Sequence, residues 1–176
     1  PARALDLISQ AQSNRRRSTG RPGRAPEPHM ELPKFWSYPP YFTLQPVAET
    51  REKQISLWHD LILSYCKRHK IYVIPSNAAE NFPLFENKDI SRRLNQDAIS
   101  TILGAAVTAG KAEWVNSAQQ NCIIYWRSLE DWAQLLHSFA QSTGMSDVVM
   151  TVDEISTGLE TKGTDLEGVH KEVLLR

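Results

Sequence analysis

Residues 95–126 read NQDAISTILGAAVTAGKAEWVNSAQQNCIIYW, and this stretch decides the fold. Asn95 is a typical helix N-cap, and apolar side chains recur at helical spacing up to Gly110, a residue type that often closes a helix. Two short apolar runs follow, Lys111–Val115 and Cys122–Trp126, joined by a polar turn. The stretch therefore predicts a long helix followed by a β-hairpin.

The residues before this stretch predict a helix, a strand and a short helix. Apolar side chains from Thr50 to Cys66 share one helical face, with Thr50 as the expected N-cap and a basic cluster at the C-terminal end. Residues 71–74 are β-branched and aromatic, which predicts a strand that Pro75 ends. A short helix is expected near residues 89–94. This order of elements is that of a winged helix, a helix-turn-helix core with a β-hairpin wing.

An octapeptide of the first helix recurs later in the chain. WHDLILSY at residues 58–65 and WAQLLHSF at residues 132–139 share the Trp, the paired aliphatic residues, the Ser and the final aromatic. The repeat predicts a second winged helix, with a strand at residues 148–152 and a long helix opening at Asp165.

Aligned with the first copy, the second copy stops roughly 25 residues early. We therefore expect the apolar side chains of residues 165–176 to bury only against the helix that contains residues 132–139, and this half to be frayed. The expected fold class is α+β, with tandem winged-helix domains, the second incomplete at the C-terminus.

The segment from Leu32 to Pro46 places five aromatic residues among four prolines. Tyr38, Pro39 and Gln45 each precede a proline, which favours extended chain over helix. A stiff ribbon of this kind loses little entropy when it docks on another protein. The alternative is an N-terminal arm folded back over its own domain. The candidate partner-binding residues are Phe35, Trp36, Tyr38, Pro39, Pro40, Tyr41 and Phe42.

Residues 1–29 are rich in Arg, Ser, Pro and Gly and have no apolar periodicity after Ile8, so we expect them to be disordered. Their six Arg against Asp6 and Glu27 give a charge of +4, and because the chain is neutral, residues 30–176 carry −4. An expression leader, an over-extended gene prediction and a biological arm all fit this composition. The expected organisation is a disordered leader (1–29), a Pro/aromatic docking segment (30–49), a first winged helix (50–128) and a truncated second one (129–176).

The expected reading helix of the winged helix lacks the charges that nucleic-acid binding needs. Residues 95–108 contain no Lys or Arg, and neither does the wing turn at residues 116–121. Phosphate contacts supply most of the affinity for DNA, so we expect no direct binding of nucleic acid. No apolar run reaches the length of a membrane span, and no signal-peptide pattern appears.

The residue pattern does not indicate an enzyme. Cys66 and Cys122 lie in apolar segments without metal-ligand spacing, which is typical of reduced, buried thiols in an intracellular protein. His59 and His137 are isolated, and no paired nucleophile or phosphate-binding loop is evident. We therefore expect no catalytic residue, no metal and no cofactor. The four tryptophans outside the Pro/aromatic segment are expected to be core aromatics: Trp58, Trp114, Trp126 and Trp132.

Five stretches of the chain together resemble one known family. They are YPPYFTLQP (38–46), the helix at 52–67, PLF (83–85), AEW (112–114) and YWRSLEDW (125–132). The family they resemble is the vacuolar protein sorting-associated protein 25 subunit of the ESCRT-II endosomal sorting complex, and the resemblance covers residues 32–176.

The resemblance implies a non-enzymatic adaptor with tandem winged helices. In the family, a Pro-Pro-x-Tyr-type motif docks on winged-helix domains of the two larger ESCRT-II subunits, and two copies join one of each in a Y-shaped complex. Pro39, Pro40 and Phe42 lie where this motif makes its contacts, with Phe42 in place of the terminal Tyr. The second winged helix would recruit an ESCRT-III subunit and commit ubiquitinated cargo to multivesicular bodies.

The implied location is the cytoplasm, with recruitment to the endosomal membrane and only indirect membrane contact through the complex. The alternative is a winged-helix DNA-binding transcriptional regulator. Salt dependence of binding to duplex DNA separates the two, because only the regulator would bind tightly and with steep salt sensitivity.

Overall fold

Between residues 48 and 126 the secondary structure follows the predicted order, except that a β-hairpin replaces the predicted short helix near residues 89–94. A computed structural model describes residues 31–76 and 82–176, so the disorder predicted for residues 1–29 lies outside the described residues. After the N-terminal segment, the elements are α1 (Ala48–His69), β1 (Val73–Pro75), a 3₁₀ helix (Pro83–Phe85), β2 (Glu86–Asn87), β3 (Arg92–Arg93), α2 (Gln96–Thr108), β4 (Ala112–Trp114), β5 (Asn121–Ile124), α3 (Leu129–Ser142), α4 (Val152–Thr157) and α5 (Lys171–Leu174).

Strands β1, β4 and β5 form one antiparallel sheet in the order β1-β5-β4. Ile74 of β1 lies opposite Cys122 of β5, and Glu113 of β4 lies opposite Ile123. Together with α1 and α2, this sheet is the helix-turn-helix core and hairpin wing of a winged helix. The α+β content and the winged-helix fold predicted from the sequence are confirmed.

Helix α2 begins and ends where the sequence predicts. The Asn95 side chain accepts a hydrogen bond from the Ala98 N–H at 2.8 Å, and Gly110 follows the helix with a left-handed φ of 68°. Helix α1 differs at its start, because Val47 rather than Thr50 is the N-cap. Ala48 and Glu49 are good helix formers, and the Glu49 carboxylate lies in the first turn, where the helix dipole favours negative charge.

The short helix predicted near residues 89–94 is wrong, because a hairpin formed by β2 and β3 occupies this region. The Asn87 side chain accepts a hydrogen bond from the Asp89 N–H at 3.0 Å, a local turn that reverses the chain. Ser91 completes the turn with a φ of 51°, and a Glu86–Arg93 ion pair of 3.0 Å joins the strands.

The core beneath the sheet is formed by α1 and α2. Trp58 is fully buried, and His59 bonds through Nε2 to the Ile102 carbonyl at 2.8 Å, so this histidine links the two helices. Cys66 and Cys122 are free and buried, as predicted, and burial raises the pKa of both thiols to about 12. Trp132 is also buried, whereas the other two predicted core aromatics, Trp114 and Trp126, are half-buried.

Beyond α3, the predicted strand at residues 148–152 and the predicted long helix from Asp165 are both wrong. Thr151 and Glu154 form a capping box that starts α4 instead of a strand. Gly168 turns the chain with a φ of 77°, and only the short α5 follows it.

This C-terminal segment packs on the sheet of the winged helix. Its buried apolar residues, Leu166, Val169 and Val173, share a cluster with Trp132 and also with two side chains of the first half, Tyr72 and Ile123. The expectation that they would bury only against the helix of residues 132–139 is therefore wrong. Sequence periodicity could not reveal these contacts because they join residues far apart in the chain.

A charged contact reinforces the same junction. Arg127 pairs with Asp165 at 2.6 Å, and its guanidinium lies 4.7 Å from the centre of the Trp132 ring. The hydrogen bond and charge of Arg127 lower the pKa of the Asp165 carboxyl.

The Tyr72 hydroxyl provides a stability test of this cluster. It is buried without a hydrogen-bond partner among the described residues. Because an unpaired buried hydroxyl is costly, we expect Tyr72→Phe to raise the free energy of unfolding by about 1 kcal/mol in urea denaturation. The matched control is Tyr125→Phe, which removes a 2.6 Å bond to Glu113 Oε2 and should lower it by about 1 kcal/mol. An equal loss of unfolding free energy in both variants would contradict the conclusion that the Tyr72 hydroxyl is unpaired.

Candidate docking surface

The Pro/aromatic segment, residues 32–46, forms two 3₁₀ helices in place of the predicted extended ribbon. They span Lys34–Ser37 and Pro39–Phe42. Proline at the start of a helical turn loses no hydrogen bond and already has the required φ, which explains the second turn. Tyr38 between the two helices is extended, as expected for a residue before proline.

The segment folds back over α1 and surrounds Trp58 with aromatic rings. Phe42 lies 5.4 Å from Trp58, edge to face, and is only 2% exposed. Phe35 lies 5.5 Å from the same indole and 5.2 Å from Tyr41. The folded-back arm, which the sequence left as the alternative, is the conformation in the structure.

Two buried amide side chains and one indole N–H group hold the backbone of the segment. Gln54 donates to the carbonyls of Tyr41 and Thr43, each at 2.9 Å, and accepts from the Gln45 N–H at 3.1 Å. Trp58 Nε1 also donates to the Tyr41 carbonyl at 2.9 Å.

At the other end of the segment, Asn87 donates to the Trp36 carbonyl at 2.8 Å. The Trp36 indole donates to the Leu84 carbonyl at 3.0 Å. Sequence reasoning missed Gln54 and Asn87. Gln54 carries a readable signal, because it lies four and seven residues before Trp58 and Leu61 on the buried face of α1.

A groove remains on the outer side of the segment. It has a volume of about 460 Å³, and its lining residues are Pro39, Pro40, Thr43, Ser91, Arg92 and Arg93. Arg93 pairs with Glu86, whereas Arg92 is exposed and makes no ion pair within residues 31–76 and 82–176. We call this the proline–arginine groove. One of its walls is apolar and the other is cationic.

The seven predicted partner-binding residues are brought together but face two ways. Tyr38 is 57% exposed, Pro40 is exposed and Pro39 is half-buried beside the groove. Phe42 is buried, and Phe35, Trp36 and Tyr41 are half-buried. The segment therefore has an inner aromatic face that contacts its own domain and an outer face open to another molecule.

Three features that would point to a metal, to nucleic acid or to a membrane-spanning helix are missing from the described residues. In the described part of the chain, no group of three His, Cys, Asp or Glu side chains could hold a metal ion. Helix α2 contains no Lys or Arg on any face. Among the helices that the structure describes, none is both long and apolar enough to cross a membrane.

The fold and the groove define a winged-helix protein that carries a folded-back Pro/aromatic segment and whose helix α2 contains no Lys or Arg. A family model described as ESCRT-II complex subunit matches residues 35–170. The chain belongs to this family of ESCRT-II subunits, in agreement with the motifs noted in the sequence.

Its relatives extend from plants to animals. It is 49% identical to Vacuolar protein sorting-associated protein 25 of Arabidopsis thaliana over 83% of this chain and 80% of the relative. It is 33% identical to the Homo sapiens protein of the same name, over 83% of each.

Solved structures show the same likeness. The crystal structure of subunit VPS25 of the endosomal trafficking complex ESCRT-II matches with a TM-score of 0.72 and 32% identity, over 82% of this chain and 83% of that one. A chain of the crystal structure of the ESCRT-II complex (VPS22/VPS25/VPS36) matches with a TM-score of 0.72 and 31% identity, over 83% and 86%.

Proposed function

We propose that this chain is a non-enzymatic adaptor that assembles with the two larger subunits of an ESCRT-II complex. The proposal is supported by its likeness to a chain of the VPS22/VPS25/VPS36 complex. The observation that carries the docking site is the outer face of the Pro/aromatic segment, where Tyr38 and Pro40 are exposed and Pro40 lines a groove together with Arg92.

The seven candidate partner-binding residues have two different roles in docking. Phe35, Trp36, Tyr41 and Phe42 fix the segment on the first winged helix. Tyr38, Pro39 and Pro40 contact the larger subunits. A rigid proline surface with an adjacent ring binds an aromatic-lined groove at little entropic cost.

Arg92 adds a charged contact to this docking. An exposed guanidinium beside an apolar ridge suits a partner surface that pairs apolar side chains with a carboxylate, because arginine binds carboxylates in a bidentate geometry.

We expect Arg92→Glu to weaken binding of the two larger subunits at least tenfold, about 1.4 kcal/mol, in titration calorimetry. The matched control is Arg68→Glu, the same charge reversal on an exposed residue at the end of α1. Equal effects of the two changes would contradict a specific contact at the groove.

The role proposed for residues 129–176 is recruitment of an ESCRT-III subunit at the endosomal membrane, with membrane contact made only through the complex. Three exposed apolar side chains lie between α3 and α5 and are available to such a partner: Val148, Val149 and Leu159. Val149→Asp with Leu159→Asp should remove capture of the ESCRT-III subunit while leaving assembly with the larger subunits unchanged in pull-downs. Retained capture would place that contact elsewhere.

The alternative function, a DNA-binding regulator, predicts binding to duplex DNA, whereas the adaptor function predicts none. Because α2 contains no Lys or Arg, we expect that residues 30–176 do not bind duplex DNA at either low or moderate salt. Tight binding with a steep salt dependence would favour the regulator.

A further inference from the structure

We infer that Gln54 and Asn87 are positioning residues for docking: they hold the Pro/aromatic segment in its folded-back form, and the partners bind this form rather than a released ribbon. The inference rests on the proposed docking function. It deepens that function by stating which conformation of the segment is recognised.

Gln54 is built to hold one piece of backbone. Its side chain is 1% exposed, and its hydrogen bonds all go to the segment, at Tyr41, Thr43 and Gln45. Both amide donors and the amide oxygen are used, so the group is fully satisfied only when the segment is folded back. Release of the segment would leave this amide in an apolar site without partners, which is costly.

Asn87 does the same at the opposite end of the segment. It is 1% exposed, donates to the Trp36 carbonyl and accepts from the Asp89 N–H. This one side chain therefore shapes the β2–β3 hairpin and ties the hairpin to the segment. Because Arg92 lies on that hairpin, Asn87 also fixes the distance between the two walls of the proline–arginine groove.

The two amides bracket the docking residues. Gln54 on α1 bonds the backbone just after Pro39 and Pro40, at residues 41–45. Asn87 on β2 bonds the backbone just before them, at Trp36. Of the docking residues Tyr38, Pro39 and Pro40, only Tyr38 has a side-chain donor, and its hydroxyl makes no hydrogen bond within the described residues, whereas the Pro40 carbonyl accepts from Gln45 Nε2 at 2.8 Å. Their placement thus depends on supporting groups that never touch the partner, an arrangement that gives a binding surface its precision.

A released ribbon is the competing conformation. It would expose Phe42, now 2% exposed, and would offer all the rings of the segment to a partner. In that case a change that frees the segment would leave binding unchanged or improve it, because the partner would no longer have to displace intramolecular contacts. The two conformations therefore predict opposite effects of the same substitution.

The test uses Gln54→Glu in the full chain, with binding of the two larger subunits measured by calorimetry. The introduced carboxylate matches glutamine in size but has no donor for the Tyr41 and Thr43 carbonyls, so it repels them. We expect binding at least tenfold weaker, together with faster hydrogen exchange confined to residues 41–45. Exchange in the middle of α1 should not change. The matched control is Gln134→Glu, the same change at an exposed position of α3, which should alter neither.

Asn87→Asp is the second variant, because it keeps the oxygen that accepts from the Asp89 N–H and replaces the donor to Trp36 by a carboxylate oxygen that repels the Trp36 carbonyl. We expect at least threefold weaker binding and faster exchange near residues 36–38. Unchanged or tighter binding despite faster exchange in the segment would overturn the inference and leave the docking function intact. Failure of the unaltered chain to bind the larger subunits would instead overturn the proposed function, and the inference with it.

Discussion

Simultaneous replacement of Tyr38, Pro39 and Pro40 by alanine is expected to weaken binding of the two larger subunits by more than 100-fold. Anchor residues at the centre of an interface cost about 2 kcal/mol or more each when truncated, and 100-fold corresponds to about 2.7 kcal/mol. Because these residues lie on the outer face, the free energy of unfolding of the chain should change by less than about 1 kcal/mol. Calorimetry with the larger subunits and urea denaturation of the chain alone measure the two quantities.

Two matched variants separate docking from folding. Pro46→Ala changes an exposed proline outside the groove and should affect neither quantity. Phe42→Ala should lower the free energy of unfolding by about 3 kcal/mol, because this ring is packed against Trp58. If the triple variant keeps full binding, the segment is only a part of its own domain's core.

The second large effect is expected in the buried apolar cluster that joins residues 129–176 to the sheet of the winged helix. Leu166 is 1% exposed and packs with Tyr72 and Ile123 of the winged-helix sheet. We expect Leu166→Ala to lower the free energy of unfolding by about 3 kcal/mol. Leu159→Ala, the same change at a side chain that is 86% exposed, should cost less than about 0.5 kcal/mol.

This pair of variants also tests the predicted domain boundary at residues 128 and 129, which stays a prediction. A shared core requires hydrogen exchange to rise on both sides of the boundary in Leu166→Ala. Gly168 is a useful probe, because its N–H donates to the Ser156 carbonyl at 2.8 Å and should be protected in the unaltered chain. Faster exchange confined to residues 129–176 would mean that the halves unfold independently.

The sequence was sufficient where structure follows from neighbouring residues. The cap at Asn95, the helix that ends before Gly110 and the wing strands all depend on signals within a few positions. The repeat of residues 58–65 at 132–139 likewise placed α3 and its buried Trp132. Asn87 carries a local signal as well, because an asparagine side chain often bonds the backbone N–H two residues further on and so reverses the chain.

The candidate surface could be predicted only in part. Composition identified the Pro/aromatic segment, but not that four of its five rings turn toward their own domain. That outcome depends on contacts between distant residues, such as Asn87 with Trp36 and Trp58 with Tyr41. Arg92 joins the surface for the same reason, since the hairpin that carries it replaced an expected helix.

Hydrogen exchange of the chain, measured alone and in complex with the two larger ESCRT-II subunits, tests docking through the folded-back segment most directly. We predict added protection at Tyr41, Thr43 and Arg92 in the complex, with the Gln45 N–H protected in both states by its bond to Gln54. Loss of protection at Gln45 on assembly, or no change anywhere in residues 36–45, would contradict it.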